Sequence, residues 1–134
     1  MEKLSDKALL DMAKNARKRA YCPYSSFAVG AALLCASGEV YLGANIENAS
    51  YTPTVCAERV AFSKALFNGE REFLKIAIVG AKMTEEPSAT CAPCGVCRQV
   101  MAEFCNDDFE IILGDGKKYL LSELLPLRFD KNNL

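Results

Sequence analysis

The sequence predicts an α/β fold, a three-layer α-β-α sandwich built on a five-stranded mixed sheet. Segments with helical periodicity alternate with short apolar segments typical of strands, in the order helix, two strands, helix, strand, helix, two strands. Turn signals separate these segments and no linker or repeat divides the chain, so we expect one domain over residues 1–134. Because right-handed crossovers place helices against both faces of a sheet, the helices should enclose it.

The first element is predicted to be a helix over residues 6–20. Ser5 is a suitable N-cap, and Asp6 adds negative charge to the first turn, where it is stabilising. Apolar residues recur at helical spacing until Cys22-Pro23, where the residue before the proline avoids helical angles. The basic residues of this segment are predicted to form a solvated face; they are Lys14, Arg17, Lys18 and Arg19.

Two strands are predicted next, over residues 27–35 and 40–44. The first is an apolar run that should be buried, and Ser37-Gly38 supplies the turn between them. In the polar loop that follows, Asn45 and Glu47 are two residues apart, so in extended backbone their side chains point the same way. Either ordinary turn chemistry or a clamp for sugar hydroxyls explains this loop, and turn chemistry is the simpler interpretation.

The rest of the chain again alternates helices and strands. Asn68-Gly69 is a helix-ending signal, and Asp115-Gly116 is typical of a hairpin turn. The predicted elements are a helix over residues 55–67, a strand over 74–81, a loop over 82–92, a helix over 93–105, strands over 109–113 and 117–121, and one helical turn over 122–125.

Composition argues against several classes of protein. A formal net charge of −1 and a pI near 5.5 provide no basic surface for nucleic acid or for an anionic membrane. No apolar run approaches the roughly 18 residues of a membrane span, and the N-terminal residues lack the apolar region of an export signal. Seven cysteines, an odd number, fit thiols and metal ligands in a reducing cytoplasm better than a disulfide framework.

Three cysteines and one glutamate carry the clearest chemical signal. Cys94 and Cys97 share a face at the start of a helix whose first residue is predicted to be Pro93, and a helix N-terminus stabilises thiolates. The chain has no histidine, so Cys56 is the best third ligand. Three protein ligands leave one position of a tetrahedral zinc ion for water, as in catalytic sites. Cys56 and Glu58 can reach one ion only if their helix begins there, with its end toward the metal.

Other assignments stay open at this point. Cys91 forms a second C-x-x-C with Cys94, so a structural zinc site of four cysteines is an alternative, whereas an iron–sulfur cluster would need a cysteine where Met101 stands. Arg59 could offset the charge of the thiolates or make a surface ion pair. The remaining cysteines are interpreted as small buried hydrophobes; they are Cys22, Cys35 and Cys105.

These motifs resemble a known family. Cys56-Ala57-Glu58, together with the Pro-Cys-Gly-Val-Cys-Arg-Gln run from Pro93 to Gln99, is similar to the signature of zinc nucleoside deaminases. Further segments resemble cytidine deaminases of the small homotetrameric type, with compatible spacing over most of the chain; they are residues 24–33, 45–50 and 124–126.

The resemblance implies a cytidine deaminase-like fold and a reaction. One Zn²⁺ per chain would be bound by Cys56, Cys94 and Cys97. The reaction would convert cytidine and 2′-deoxycytidine to uridine and 2′-deoxyuridine, with release of ammonia, in pyrimidine salvage. Glu58 would carry a proton from the activated water to N3 of the base and then supply one to the leaving amino group.

The resemblance also implies how the substrate is held. Asn45 and Glu47 would bind the 3′-hydroxyl of the ribose, and Phe27 would form a wall beside the nucleoside, although ordinary core packing also explains Phe27. The backbone of Ala57 would contact the pyrimidine ring. Arg59 would donate a hydrogen bond to a zinc thiolate.

A homotetramer with active sites shared between subunits is a further implication. Phe129 matches the aromatic residue that covers the base bound in a neighbouring subunit. The family commonly has Gly-Ala before this aromatic, whereas this chain has Leu127-Arg128, so the path of the tail departs from the family pattern.

Rival functions are deamination of another aminopyrimidine nucleoside, such as a nucleoside antibiotic, and a non-catalytic zinc-stabilised interaction module. Asn45 and Glu47 favour a substrate with an ordinary ribose and so argue against a nucleoside antibiotic. Editing of a polynucleotide is disfavoured because the chain is nearly neutral.

Overall fold

One mixed sheet of five strands organises the protein, whose computed structural model describes residues 4–87 and 90–134. The strands are β1 (Phe27–Cys35), β2 (Val40–Ala44), β3 (Phe73–Lys82), β4 (Glu110–Leu113) and β5 (Lys118–Leu120). Their order in the sheet is β2-β1-β3-β4-β5. The β3–β4 pair is parallel and the other three pairs are antiparallel, which confirms the predicted mixed sheet.

Helices cover both faces of this sheet and complete the predicted sandwich. They are α1 (Asp6–Ala16), α2 (Ala57–Phe67), α3 (Gly95–Phe104) and the single turn α4 (Leu121–Leu124), with 3₁₀ turns at Arg17–Arg19 and Lys131–Asn133. α1 buries Leu9 and Ala13 against one face, whereas α2 and α3 bury Phe62 and Met101 against the other. In the residues that the structure describes, no helix combines the length and apolar character that a membrane crossing requires.

Most element boundaries lie within two residues of their predicted positions. β3 is one residue longer at each end than predicted, β5 is one residue shorter at each end, and α4 begins one residue early. Gly38 and Gly116 have positive φ in the two predicted turns, which only glycine adopts without a steric penalty. Turn chemistry therefore places the strands correctly, while hydrogen bonding decides their last residues.

The two helices that bear the candidate ligands begin later than predicted. Cys56 and Cys94 have extended backbone angles and are the N-caps of α2 and α3, so Pro93 precedes the cap and is not the first helical residue. Both caps lack the Ser, Thr, Asp or Asn that usually marks this position, and neither makes a side-chain capping hydrogen bond. The sequence therefore had no standard signal for the start of either helix.

The predicted solvated face of the first helix is wrong at Arg17. α1 ends at Ala16, and the chain continues in a 3₁₀ turn instead of an α-helix to residue 20. The Arg17 side chain turns inward, and the residue is only 8% exposed. Its guanidinium finds backbone carbonyl acceptors inside the protein, starting with Ala28 O at 3.1 Å from Nε. Arginine is rarely buried without such partners, so its inward position could not be inferred from spacing.

Candidate metal centre and active site

Three thiols meet where the N-terminal ends of α2 and α3 converge. The Sγ atoms of Cys56 and Cys94 are 3.8 Å apart, and those of Cys94 and Cys97 are 3.6 Å apart. All three sulfur atoms lie within 4.8 Å of one another. A tetrahedral zinc ion with Zn–S bonds of about 2.3 Å places its sulfur ligands about 3.8 Å apart. The three side chains therefore fit one zinc ion and leave its fourth position open.

Equivalent positions of the two helices carry these groups. Cys56 and Cys94 are the N-caps, and the third helical residues are Arg59 in α2 and Cys97 in α3. Side chains at the N-cap and the third position lie together on the first turn. This geometry brings Cys97 to Cys94, and it brings Arg59 to Cys56. The unpaired N–H groups of both first turns add positive potential, which stabilises thiolates.

The pKa values of two of these thiols move in opposite directions. Hydrogen bonding with the Cys97 thiol, followed by hydrogen bonding with the Arg59 guanidinium, lowers the pKa of Cys56 to about 5. The same pairing with Cys56, together with burial, raises the pKa of Cys97. Adjacent thiols cannot both ionise easily without a cation between them. A cation held among the three thiols would therefore lower the cost of ionising more than one of them.

Arg59 lies against the candidate metal ligands, and it forms no ion pair with the residues that the structure describes. Its Nη2 donates to the Cys56 sulfur at 3.7 Å and to the carbonyl of Thr54 at 3.3 Å. Its Nε is buried and has no hydrogen-bond partner among the described residues. The Nη2 contact places a positive charge beside the Cys56 sulfur, where it offsets the negative charge of a thiolate.

Glu58 is the second residue of α2 and is buried beside the thiols, with only 4% of its surface exposed. Burial, with a smaller contribution from the charge of Cys56, raises the pKa of its carboxyl group to about 7. A nearby metal cation would favour the ionised form. A carboxyl group that changes protonation near neutral pH can serve as both general base and general acid.

Cys91 and Phe27 lie together on the site face of the sheet, over Gly80 in β3. A Cβ atom built on Gly80 would be 2.7 Å from the Cys91 sulfur and 2.9 Å from the Phe27 ring. The Cys91 thiol is outside the three-sulfur group, and burial raises its pKa to about 11. Phe27 is 37% exposed, so its ring is not enclosed in the core.

Asn45 holds the first residues of β1, and Glu47 holds the residues just before that strand. Asn45 accepts the N–H of Val29 at 2.8 Å and donates to the carbonyl of Phe27 at 2.9 Å. Glu47 accepts the backbone N–H groups of Tyr24 and Ser25 and the Ser25 hydroxyl. These bonds, the Ser25 hydroxyl first among them, lower the pKa of Glu47. The two side chains thus brace the segment that presents Phe27.

The C-terminal tail turns at Leu127, which has a φ of 51° and a fully exposed side chain. Arg128 attaches the tail to the body through Nη1, which donates to the carbonyl of Cys105 at 3.3 Å, and its Nε donates to Asp130 Oδ2 within the tail at 2.9 Å. The Phe129 ring remains 59% exposed. The substitution of Leu-Arg for the expected Gly-Ala therefore yields a tail that is held in place and presents an aromatic side chain outward.

Comparison with known proteins identifies the family. The sequence-family model described as the cytidine and deoxycytidylate deaminase zinc-binding region matches residues 3–113 of this chain. A cytidine deaminase from Sporosarcina psychrophila is 48% identical over 130 residues, covering 94% of this chain and 92% of the relative. The chain belongs to the cytidine and deoxycytidylate deaminase family.

Two further comparisons agree with this family and define its range. A crystal structure of cytidine deaminase from Burkholderia pseudomallei is 46% identical and covers 93% of this chain and 99% of that chain, with a TM-score of 0.85. A blasticidin-S deaminase from Bacillus cereus is 34% identical over 109 residues, which is 78% of each protein. The relatives of this chain are thus named for different substrates.

Two polar residues of the deaminase signature have contacts that sequence reasoning missed. Arg98 donates to the carbonyl of Pro93 at 2.8 Å and to that of Leu124 at 2.6 Å. Gln99 donates to the carbonyl of Phe129 at 2.8 Å. The helix that carries Cys97 therefore also holds the C-terminal tail. Their presence in the motif was a signal that these residues matter, but it did not identify their partners.

The metal assignment predicts which cysteines are needed for zinc. Replacing Cys56, Cys94 or Cys97 with Ser should each abolish stoichiometric zinc binding, because two thiolates do not complete the site. Cys91→Ser is the matched control and should retain one zinc per chain, because its sulfur lies outside the group. Metal analysis of the four purified variants measures this. Loss of zinc from Cys91→Ser, with retention in Cys56→Ser, would contradict the assignment.

Proposed function

We propose that this chain catalyses the hydrolytic deamination of cytidine and 2′-deoxycytidine to uridine and 2′-deoxyuridine, with release of ammonia. The observation that carries the proposal is the buried Glu58 carboxyl group beside three thiols at zinc-ligand spacing. Relatives named cytidine deaminase over nearly the full chain support it. Residues 1–134 would act as one catalytic domain in pyrimidine salvage. The reducing cytoplasm suits its seven cysteines, all of which lie in the described ranges and are free thiols.

Glu58 carries the proton chemistry in this proposal. Bound zinc supplies a Lewis acid that makes a water molecule nucleophilic near neutral pH. The Glu58 carboxylate accepts a proton from the attacking water and delivers it to N3 of the cytosine. As the water loses this proton, its oxygen bonds to C4 of the base. Glu58 then accepts the proton of the new C4 hydroxyl and gives it to the amino group, so that the C4–N bond breaks, ammonia departs and a C4 carbonyl remains. The chain contains no histidine that could replace it in this role.

Asn45 and Glu47 are proposed to bind the ribose 3′-hydroxyl despite their contacts with β1. The Asn45 amide uses one of its two N–H donors and one oxygen lone pair. The Glu47 carboxylate accepts three hydrogen bonds and has about four acceptor sites. Each group therefore retains capacity for a hydroxyl, and the existing bonds fix its orientation before substrate arrives.

The base is proposed to lie between the metal centre and the ring of Phe27. Phe27 is partly exposed on the face of the sheet that carries α2 and α3, as a substrate wall requires. Ala57 is the first residue of α2, so its backbone lies next to both Cys56 and Glu58. A backbone hydrogen bond from this position would hold the pyrimidine ring against the reacting groups.

Deamination of a different aminopyrimidine nucleoside is the competing proposal, because one relative is named blasticidin-S deaminase. The paired side chains of Asn45 and Glu47 favour a substrate with an ordinary ribose. Comparing cytidine, deoxycytidine and blasticidin S in the same assay separates the two proposals. A preference for blasticidin S would replace the nucleoside salvage role.

The catalytic proposal is tested with Glu58→Gln and the wild-type protein. Cytidine turnover is followed by ultraviolet absorbance, and zinc is measured in the same samples. The wild type should convert cytidine, whereas Glu58→Gln should keep the fold and zinc but lose at least about 10²–10⁴-fold in rate, because an amide cannot carry the proton. Wild-type turnover in the variant would remove Glu58 from the mechanism. No turnover by zinc-loaded wild type would favour a non-catalytic zinc module.

A homotetramer with shared active sites is the second part of the proposal. The Phe129 ring is mostly exposed, and the tail that bears it is held by hydrogen bonds from Gln99 to the Phe129 carbonyl and from Arg128 to the Cys105 carbonyl. An exposed aromatic ring on a fixed tail suits contact with a ligand in another subunit. Ring stacking of this kind contributes about 0.5–1.5 kcal/mol beyond the burial of area.

Phe129→Ala tests the shared site, and Leu134→Ala is its control in the same tail. Removing the ring should raise the KM for cytidine about two- to tenfold with zinc unchanged, because a stacking contact is lost. Leu134→Ala should have the wild-type KM. Light scattering coupled to gel filtration should report four chains. A fully active monomer would contradict the assembly, and an unchanged KM in Phe129→Ala would contradict the shared site.

A further inference from the structure

Arg17 is a buried cation whose partners are all backbone carbonyls. Its Nε donates to Ala28 O at 3.1 Å, and its Nη2 lies 3.3 Å from Ala81 O, 2.5 Å from Lys82 O and 2.7 Å from Glu85 O. Within residues 4–87 and 90–134 it forms no salt bridge. A single guanidinium therefore joins three segments, namely the start of β1, the end of β3 and the loop that follows β3.

Close approach of helix and sheet makes this contact possible. A Cβ atom on Gly30 would overlap the carbonyl oxygen of Ala13 and lie 2.5 Å from the backbone nitrogen of Arg17. Only a glycine in β1 permits the helix to lie this near. At this separation the Arg17 side chain can reach along the sheet to the corner where β1 begins and β3 ends. The carbonyl partners of its guanidinium lie at this corner.

This corner of the sheet presents the Phe27 ring. Phe27 is paired with Lys82 in the antiparallel register, and Ala28 is paired with Ala81. Arg17 thus bonds the carbonyls of both members of the Ala28–Ala81 pair and the carbonyl of Lys82, the residue paired with Phe27. Because side chains alternate along a strand, Phe27 projects from the face opposite α1, where it lies over Gly80. Arg17 holds the backbone from behind, and the ring faces the site.

The other side of the same segment is held by residues already placed at the substrate. Asn45 bonds Phe27 and Val29 from the β2 side, and Glu47 bonds the residues before Phe27. The Arg17 contacts complete this support, because they fix the β3 side and the face away from the ligand. Hydrogen bonds from Asn45, Glu47 and Arg17 thus fix the backbone that bears the Phe27 ring and the residues next to it.

We propose that Arg17 is a positioning residue for nucleoside binding, which acts by fixing the paired ends of β1 and β3 that carry Phe27. This inference rests on the proposed function, in which Phe27 lies beside the nucleoside. An arginine suits the role because its planar, five-donor fork reaches several carbonyls at once. A lysine ammonium offers three donors from one point and should replace it only in part.

The test compares Arg17→Met and Arg17→Lys with Lys18→Met, which removes an exposed cation from the same turn. Each variant is measured for kcat and KM with cytidine, for the Kd of uridine by calorimetry, for zinc content and for thermal unfolding. Arg17→Met should raise both KM and the uridine Kd about two- to tenfold, the loss expected for a misplaced aromatic contact, with kcat and zinc unchanged. Arg17→Lys should give a smaller rise, and Lys18→Met should match the wild type.

A purely structural role predicts a different result. In that case the melting temperature of Arg17→Met falls while its KM and uridine Kd stay at wild-type values, and this would overturn the proposal, as would a loss of kcat at constant KM. If Arg17→Met does not fold, Arg17→Lys decides, because wild-type KM and Kd values in that variant also overturn it. Failure of the wild type to turn over cytidine and to bind uridine would instead refute the proposed function.

Discussion

The positive ends of α2 and α3 meet around the sulfur atoms of Cys56, Cys94 and Cys97, and the layout of the site depends on this meeting. Both helices begin at a cysteine whose backbone is still extended, so each first turn directs unpaired N–H groups toward the thiols. The sheet places α2 where this is possible. A Cβ on Gly43 of β2 would overlap the carbonyl of Ala57, so the first residue of α2 lies directly on the strand.

The site has to bind a metal ion with negatively charged thiolates and still leave that ion positive enough to activate water. Three thiolates around a dication leave a net negative charge, which weakens the pull of the metal on its water. Arg59 opposes this charge through its contact with Cys56, while Glu58 is kept out of solvent and has a raised pKa. One short helical turn thus carries the proposed metal ligand Cys56, the proposed proton carrier Glu58 and the cation of Arg59.

Sequence reasoning predicted the parts of the fold and site that depend on local spacing. The sheet follows from periodicity and its turns follow from glycine positions. The two cysteine motifs predicted that the three thiols lie together. The burial of Arg17 was missed because its acceptors lie 11 to 68 residues away in the chain. The same reason explains why the contacts of Arg98 and Arg128 could not be foreseen. Helix starts were misplaced by two residues because cysteine is not a standard cap.

The central claim is that a single zinc ion, bound where the two helices converge, makes this chain a deaminase. It is tested most directly by removing metal with a chelator, adding zinc back in steps and following cytidine absorbance at each step. The account predicts loss of turnover on chelation and recovery that rises linearly and stops at one zinc per chain, with the fold retained throughout. Undiminished turnover by protein shown to contain no metal would contradict it.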